Sequence, residues 1–129
     1  MKKNILITAA VLGLTAIVLG AFAAHGLKGL LSEADIATFE TGVRFQMYHA
    51  LFLLFIGQSI LLSEKYQRTI FLLTVIGVVC FSGSIYLLAT NDLTAFDFKK
   101  IALATPLGGT LLIAAWASML AGFVKMKRA

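Results

Sequence analysis

The stretch Gly20-Ala-Phe-Ala-Ala-His-Gly26, GAFAAHG, decides the fold, because it has two incompatible readings. Lys2, Lys3 and an apolar run precede it, and Ala21-Phe22-Ala23 has the small-x-small form of a secretory cleavage site. On that reading the segment is removed and three apolar runs remain. As the far end of a retained membrane helix it leaves four, with His25 at the lipid–water boundary. The run Ile5–Ala24 has the roughly 20 residues a bilayer core demands, more than a signal peptide's apolar region. It also carries Ala16, Gly20 and Ala24 on one stripe. Retention is the expectation.

Outward from that stretch the chain repeats the pattern. Runs 45–62, 69–90 and 101–124 are also of spanning length, and none of the four contains Asp, Glu, Lys or Arg. Across 129 residues, 60% are hydrophobic and 13% charged, about half the charge of a soluble domain. Such a chain cannot cover itself with polar surface, so the lipid bilayer is its solvent. The expected fold is an all-α integral membrane protein, one domain over 1–129, built as a four-transmembrane-helix bundle.

The net charge of +5 does not signal nucleic acid, because the basic residues stand in short clusters between apolar runs. With four spans, one side holds seven of them: Lys2, Lys3, Lys65, Arg68, Lys125, Lys127 and Arg128. The other holds four: Lys28, Arg44, Lys99 and Lys100. The positive-inside rule then puts both termini of the multi-pass chain in the cytoplasm. Cys80 is the only cysteine, which rules out an internal disulfide and disfavours a cysteine metal site.

The connections carry their own signals. Ser32-Glu-Ala-Asp35 resembles a capping box, and Ile36, Phe39 and Val43 recur at helical spacing. Together they predict a short amphipathic helix lying on the membrane between spans one and two. Glu40 precedes Arg44 by four residues, the order that favours a helical ion pair; if it forms, this helix and span two are nearly continuous. Tyr66, Phe96 and Phe98 suit the aromatic interface, with Lys99 and Lys100 reaching outward. Pro106 leaves two readings open: span four starts at Thr105 as N-cap, or a kinked helix starts at Lys100.

Lipid tails supply no hydrophobic drive between helices, so close backbone approach must. Besides Ala16, Gly20 and Ala24, the packing candidates are Gly77 and Gly83 in span three, and Gly108, Gly109, Ala114, Ser118 and Gly122 in span four. The candidate site is polar. Topology brings His25, Arg44, Gln46, Tyr48, His49, Ser82, Ser84, Tyr86 and Thr105 towards one outer layer of the bundle. Two histidines suit haem iron or a metal ion, and Arg44 with Gln46 suits a quinone or lipid headgroup. The plainer reading is interhelical hydrogen bonding. No metal site is expected from two histidines without a carboxylate in a span. Trp116 reads as core or lipid-facing bulk. Enzyme templates find no match: no phosphate loop, His-Glu-x-x-His or Gly-x-Ser-x-Gly occurs.

Four fragments, GAFAAHGL, FETGVRFQMYHAL, FSGSIYLLA and TPLGGTLLIAAW, occur in the order and spacing of one family. The chain resembles the domain of unknown function 423 family, small bacterial inner-membrane proteins with animal relatives called transmembrane protein 256. The matching positions are Gly20, Phe22, His25 and Gly26, then Phe39, Thr41, Gln46, Tyr48 and His49. Phe81 to Ser84, Tyr86, Thr105, Pro106, Gly108, Gly109 and Trp116 complete them. Ala23 stands where the pattern has glycine, implying looser packing near His25, and Phe45 where it has tyrosine, removing a hydroxyl. The resemblance implies a retained first helix, a polytopic fold in the plasma (inner) membrane, and no activity.

The leading functional expectation is a non-enzymatic structural or accessory protein, packing against a second copy or a membrane-protein partner. No cofactor is predicted on that reading. The alternative is a binder of a small redox cofactor such as haem, a quinone or a lipid headgroup around His25 and His49. A small permease is weaker, because the spans hold no carboxylate for ion coupling.

Overall fold

The computed structural model describes residues 1–94 and 97–126, with Phe98 and Lys99 described by backbone alone. The interfacial place expected for Phe96, the side chains of Phe98 and Lys99, and the cytoplasmic Lys127 and Arg128 lie outside the described residues. The described residues form four long rods: α1 (Lys2–His25), α2 (Glu33–Gln58), the pair α3 (Glu64–Val78) and α4 (Ser84–Ala89), and α5 (Ala104–Val124). A π-helical turn, Val79–Gly83, joins α3 to α4 in one continuous helix, Glu64–Ala89. Among the described residues there is no strand, only an isolated bridge between Lys28 and Leu31.

Among the described residues three helices are long and apolar enough to cross a membrane: Lys2–His25, Glu64–Ala89 and Ala104–Val124. The helix containing the expected second span is not among them. Its apolar part is short, because α2 ends at Gln58 instead of running to Leu62. Ser59 turns to extended backbone there, and the turn is tied down by Gln67, whose Nε2 donates to Ser59 O at 2.7 Å.

The expected separate surface helix is absent. Ser32 Oγ accepts the Asp35 N–H at 3.1 Å, which caps the helix, and one uninterrupted 26-residue α2 follows. Its first turns do not lie flat, because Phe39 is buried with Ala23, Leu27 and Ala89, and Ile36, Val43 and Tyr86 close over them. The Glu40–Arg44 pair does not supply that continuity: Arg44 Nη2 donates to Thr41 Oγ1 at 3.0 Å instead. The reversal before Ser32 uses Gly29 at φ +85°, a conformation that costs any residue with a Cβ.

Antiparallel α1 and α2 are in close register. A Cβ on Gly13 would meet Ala50, one on Gly20 would meet Val43, and one on Gly57 would strike Leu6 at 2.8 Å. The buried stripe of α1 is Ile5, Ala9, Ala16 and Ala23. Ala24 is exposed, so the small residue that closes the stripe is Ala23. Its methyl fills the position where looser packing was expected.

Close approach also binds α5 to the α3 rod. A Cβ on Gly77 would meet Leu112 Cδ2 at 2.7 Å, and one on Gly108 would lie 2.8 Å from both Gly77 O and the Cys80 carbonyl carbon. Gly122 admits Leu62 and Tyr66 in the same way. Gly83 meets nothing within 4 Å, so it is no packing contact. On α5 the fully buried alanine is Ala115 rather than Ala114, and Ser118 Oγ turns back to Ala114 O at 2.7 Å. Neither reading of Pro106 holds. Leu103 occupies the cap position, and Pro106 sits in the first turn, where helical N–H groups lack intrahelical acceptors anyway.

Both described ends and the Ser59–Ser63 turn gather at one end of the bundle, where Lys2 Nζ donates to Ser59 O at 3.4 Å. The α1 helix packs on α2, and both α2 and α5 pack on the α3 rod. Across the remaining gap α2 and α5 meet chiefly through rings.

Candidate functional site

Polar side chains from α2 leave the helix in two directions. On one side Gln46, only 5% exposed, reaches α1 and α4. Its Nε2 donates to Leu12 O at 2.9 Å and to Thr15 Oγ1 at 2.8 Å, and its Oε1 accepts from the Tyr86 hydroxyl at 2.7 Å. Both amide protons and the carbonyl are engaged, which a buried amide requires. One turn away Ser82, in the π turn, donates from Oγ to Gly42 O at 2.8 Å. That bond needs a glycine: a Cβ on Gly42 would stand 2.7 Å from Tyr86 Cε1. Ser84 and Thr105 share a hydroxyl–hydroxyl bond that ties α4 to the start of α5.

On the other side His49, 4% exposed, faces the gap towards α5. Trp116 Nε1 lies 3.2 Å from His49 Nε2, and Phe45 O lies 2.7 Å from His49 Nδ1. Indole N–H is a donor only, so Nε2 must accept. Nδ1 therefore carries the proton and donates to Phe45 O, which sets a neutral imidazole in this geometry. The Trp116 ring stacks on Phe52 at 4.3 Å and stands edge-on to His49. Beside the pair opens a groove of about 790 Å³, lined by Phe45, Phe81, Gly109, Trp116, Leu120 and Phe123 among others. Phe52 and Phe55 on α2 meet Trp116 and Phe123 on α5 at 4.3 and 6.4 Å, so rings stand between the two helices, and Phe45 packs on Phe81 of the π turn at 4.9 Å.

The expected polar layer is thus divided and deeper than expected. Gln46, Ser82 and Tyr86 form one network, Ser84 and Thr105 a second contact, and His49 a third with Trp116. His25 joins none of them. It is exposed at the end of α1, and Thr15, which marks the level of Gln46, lies ten residues back, roughly 15 Å at 1.5 Å per residue. His25 and His49 cannot hold one metal ion or haem iron together in this arrangement. Arg44 and Tyr48 point outward and are exposed. Among the described residues no group of three His, Cys, Asp or Glu could hold a metal.

Sequence reasoning passed over Trp116, Thr15, Gly42 and Gly57. Trp116, half exposed, had one usable signal, since an indole N–H facing lipid or protein seeks an acceptor. Thr15 and Gly42 had none, because their roles depend on which residue of another helix stands opposite.

The profile of a family described as a protein of unknown function, DUF423, matches residues 19–109. The chain belongs to the DUF423 family. Relatives of this DUF423 protein match along nearly its whole length. It is 36% identical to a UPF0382 membrane protein of Haemophilus influenzae, over 98% of each chain. It is 35% identical to the UPF0382 inner membrane protein YgdD of Escherichia coli K12, over 98% of this chain and 94% of that one. With the UPF0382 membrane protein SH2409 of Staphylococcus haemolyticus it shares 40% identity over 75% of each. No solved structure matches it. With its apolar helices, the DUF423 chain is an integral membrane protein in contact with the lipid bilayer.

Proposed function

We propose that this DUF423 protein is a four-span protein of the bacterial inner membrane, with both termini cytoplasmic, and that it acts as a non-enzymatic accessory component by helix packing. One observation carries the role: Gln46 and His49, the buried polar groups of α2, are both engaged by partners in their own chain. Polar groups used up in this way hold helices together and leave little over for substrate chemistry. Outward, large apolar side chains remain open, such as Leu14 and Ile17 on α1 and Ile113 and Leu120 on α5. Those faces suit lipid or a partner helix. A second copy or another membrane protein is the partner this reading expects.

Four spans are favoured over three by the antiparallel run of α2 along α1, which returns the chain to the end where it began. The seven-to-four bias of basic residues favours cytoplasmic termini. The inner-membrane place follows the printed name of the Escherichia coli relative. Reporter fusions at Met1 and Ala129 test the topology: four crossings put both on the cytoplasmic side, and three put them on opposite sides. Photo-crosslinking from Ile17 and Ile113 in native membranes tests the role. A defined adduct with a second copy or one membrane protein supports it, and a chain that yields only lipid adducts overturns it.

A further inference from the structure

We propose that the groove between α2 and α5 is a binding site for a lipid-soluble phenol, a planar ring bearing one hydroxyl and carried on an apolar tail. This goes beyond the accessory role and does not depend on it. At about 790 Å³ the groove falls within the range of small-molecule sites, about 300–1,000 Å³. Its walls come from three elements, with Phe45 on α2, Phe81 in the π turn and Trp116 on α5. The lining includes the rings of Phe45, His49, Phe81, Trp116 and Phe123, and aromatic edges and faces suit a flat ring. Being apolar, such a molecule reaches the groove by partitioning into the membrane.

The hydroxyl is specified by the single polar feature of the groove. Trp116 Nε1 can only donate, and His49 Nε2 can only accept, because Phe45 O holds the ring proton on Nδ1. Their mutual bond, 3.2 Å, is at the long end for N–H donors. When that contact opens and the half-exposed indole moves aside, a hydroxyl inserted there accepts from Trp116 and donates to His49, so two bonds replace one. A carbonyl or ether oxygen accepts from Trp116 and leaves His49 Nε2 without a donor, which costs the desolvation of a buried acceptor. A charged group finds no counter-charge among the lining residues.

Two adjacent glycines sharpen the case. Gly108 is demanded by packing, since a side chain there would run into the backbone of Cys80 and Phe81. Gly109 is not: its Cβ would meet only the Phe81 ring, at 3.6 and 3.8 Å, which is ordinary contact. The missing side chain at Gly109 enlarges the groove without tightening the bundle.

Trp116 is the only tryptophan, so its emission reports on the site directly. The experiment titrates the full chain in nanodiscs with para-nonylphenol and, separately, with its methyl ether, exciting the indole selectively. Saturable quenching by the phenol is expected, with the ether about tenfold weaker for want of one hydrogen bond. His49→Phe is expected to lower phenol affinity to that of the ether. Gly109→Leu is expected to weaken both ligands while leaving the unliganded emission unchanged. Equal affinities for phenol and ether in the unaltered chain overturn the proposal, as does quenching that rises linearly without saturation. Should His49→Phe fail to fold, the phenol-to-ether ratio and Gly109→Leu still decide it.

Discussion

Gln46 and His49 stand three residues apart on α2, yet they serve two differently built sides of one helix. On the Gln46 side the facing surfaces are small: Gly42 lets Tyr86 and Ile85 approach, and Ser82 reaches the Gly42 carbonyl. Helices there close until every polar atom of the amide has a partner. On the His49 side the facing residues are Phe45, Phe52, Trp116 and Phe123, whose rings meet before the backbones can. One side becomes a sealed junction and the other a groove. Side-chain size at the contact, more than polarity, separates them, because dispersion between close surfaces is the main attraction between helices in lipid.

The largest test of this contrast is Gly108→Leu. Its side chain would displace the backbone of the π turn, which cannot rotate aside, so loss should reach or exceed the about 1–3 kcal/mol typical of overpacking. A fall in monodisperse yield and in thermal midpoint in mild detergent is the expected readout. Gln46→Leu comes next. It strands the Tyr86 hydroxyl and cuts the links to Leu12 and Thr15, at about 1–2 kcal/mol, since interhelical bonds in membranes average about 0.6 and reach about 1.7. Denaturant titration would measure it, and an unchanged midpoint would break the picture of a sealed junction.

A cycle pairing Gln46→Leu with Tyr86→Phe should show coupling of about 0.6 kcal/mol or more, whereas Gln46→Leu with Trp116→Phe should be additive. Trp116→Phe alone keeps a ring over Phe52 but strands the buried His49 Nε2 acceptor, so about 1 kcal/mol is expected. Gly109→Leu should be the mildest, within about 0.5 kcal/mol, because its side chain enters open space. If Gly109→Leu destabilises as much as Gly108→Leu, the groove is closed in solution and the contrast fails.

Much of the architecture was legible because it follows from solvent. Long uncharged runs, clustered basic residues and the cap at Ser32 needed no knowledge of neighbours. The polar residues were also visible one by one, and Gln46, Ser82 and Tyr86 do meet. Their depth was misjudged because His25 was taken as the partner of His49, when the register of Gly13 on Ala50 and Gly20 on Val43 sets them well apart. The surface helix was misread for a related reason. The pattern Ile36, Phe39, Val43 marks an apolar face, and only the neighbours show that it covers protein.

By itself the sequence determined that this chain is helical, lives in lipid, reverses between long uncharged runs, and carries most of its rare polar groups in the second and third of them. Those properties belong to local composition and to transfer between water and hydrocarbon. Only the tertiary structure decided that Gln46 is enclosed while His49 borders a groove, that Ala23 and not Ala24 is buried, and that Trp116 bonds to an imidazole. Each depends on the rotation and register of one helix against another. A shift of one residue turns a helical side chain by about 100°, and no single segment encodes which residue of its partner it will face.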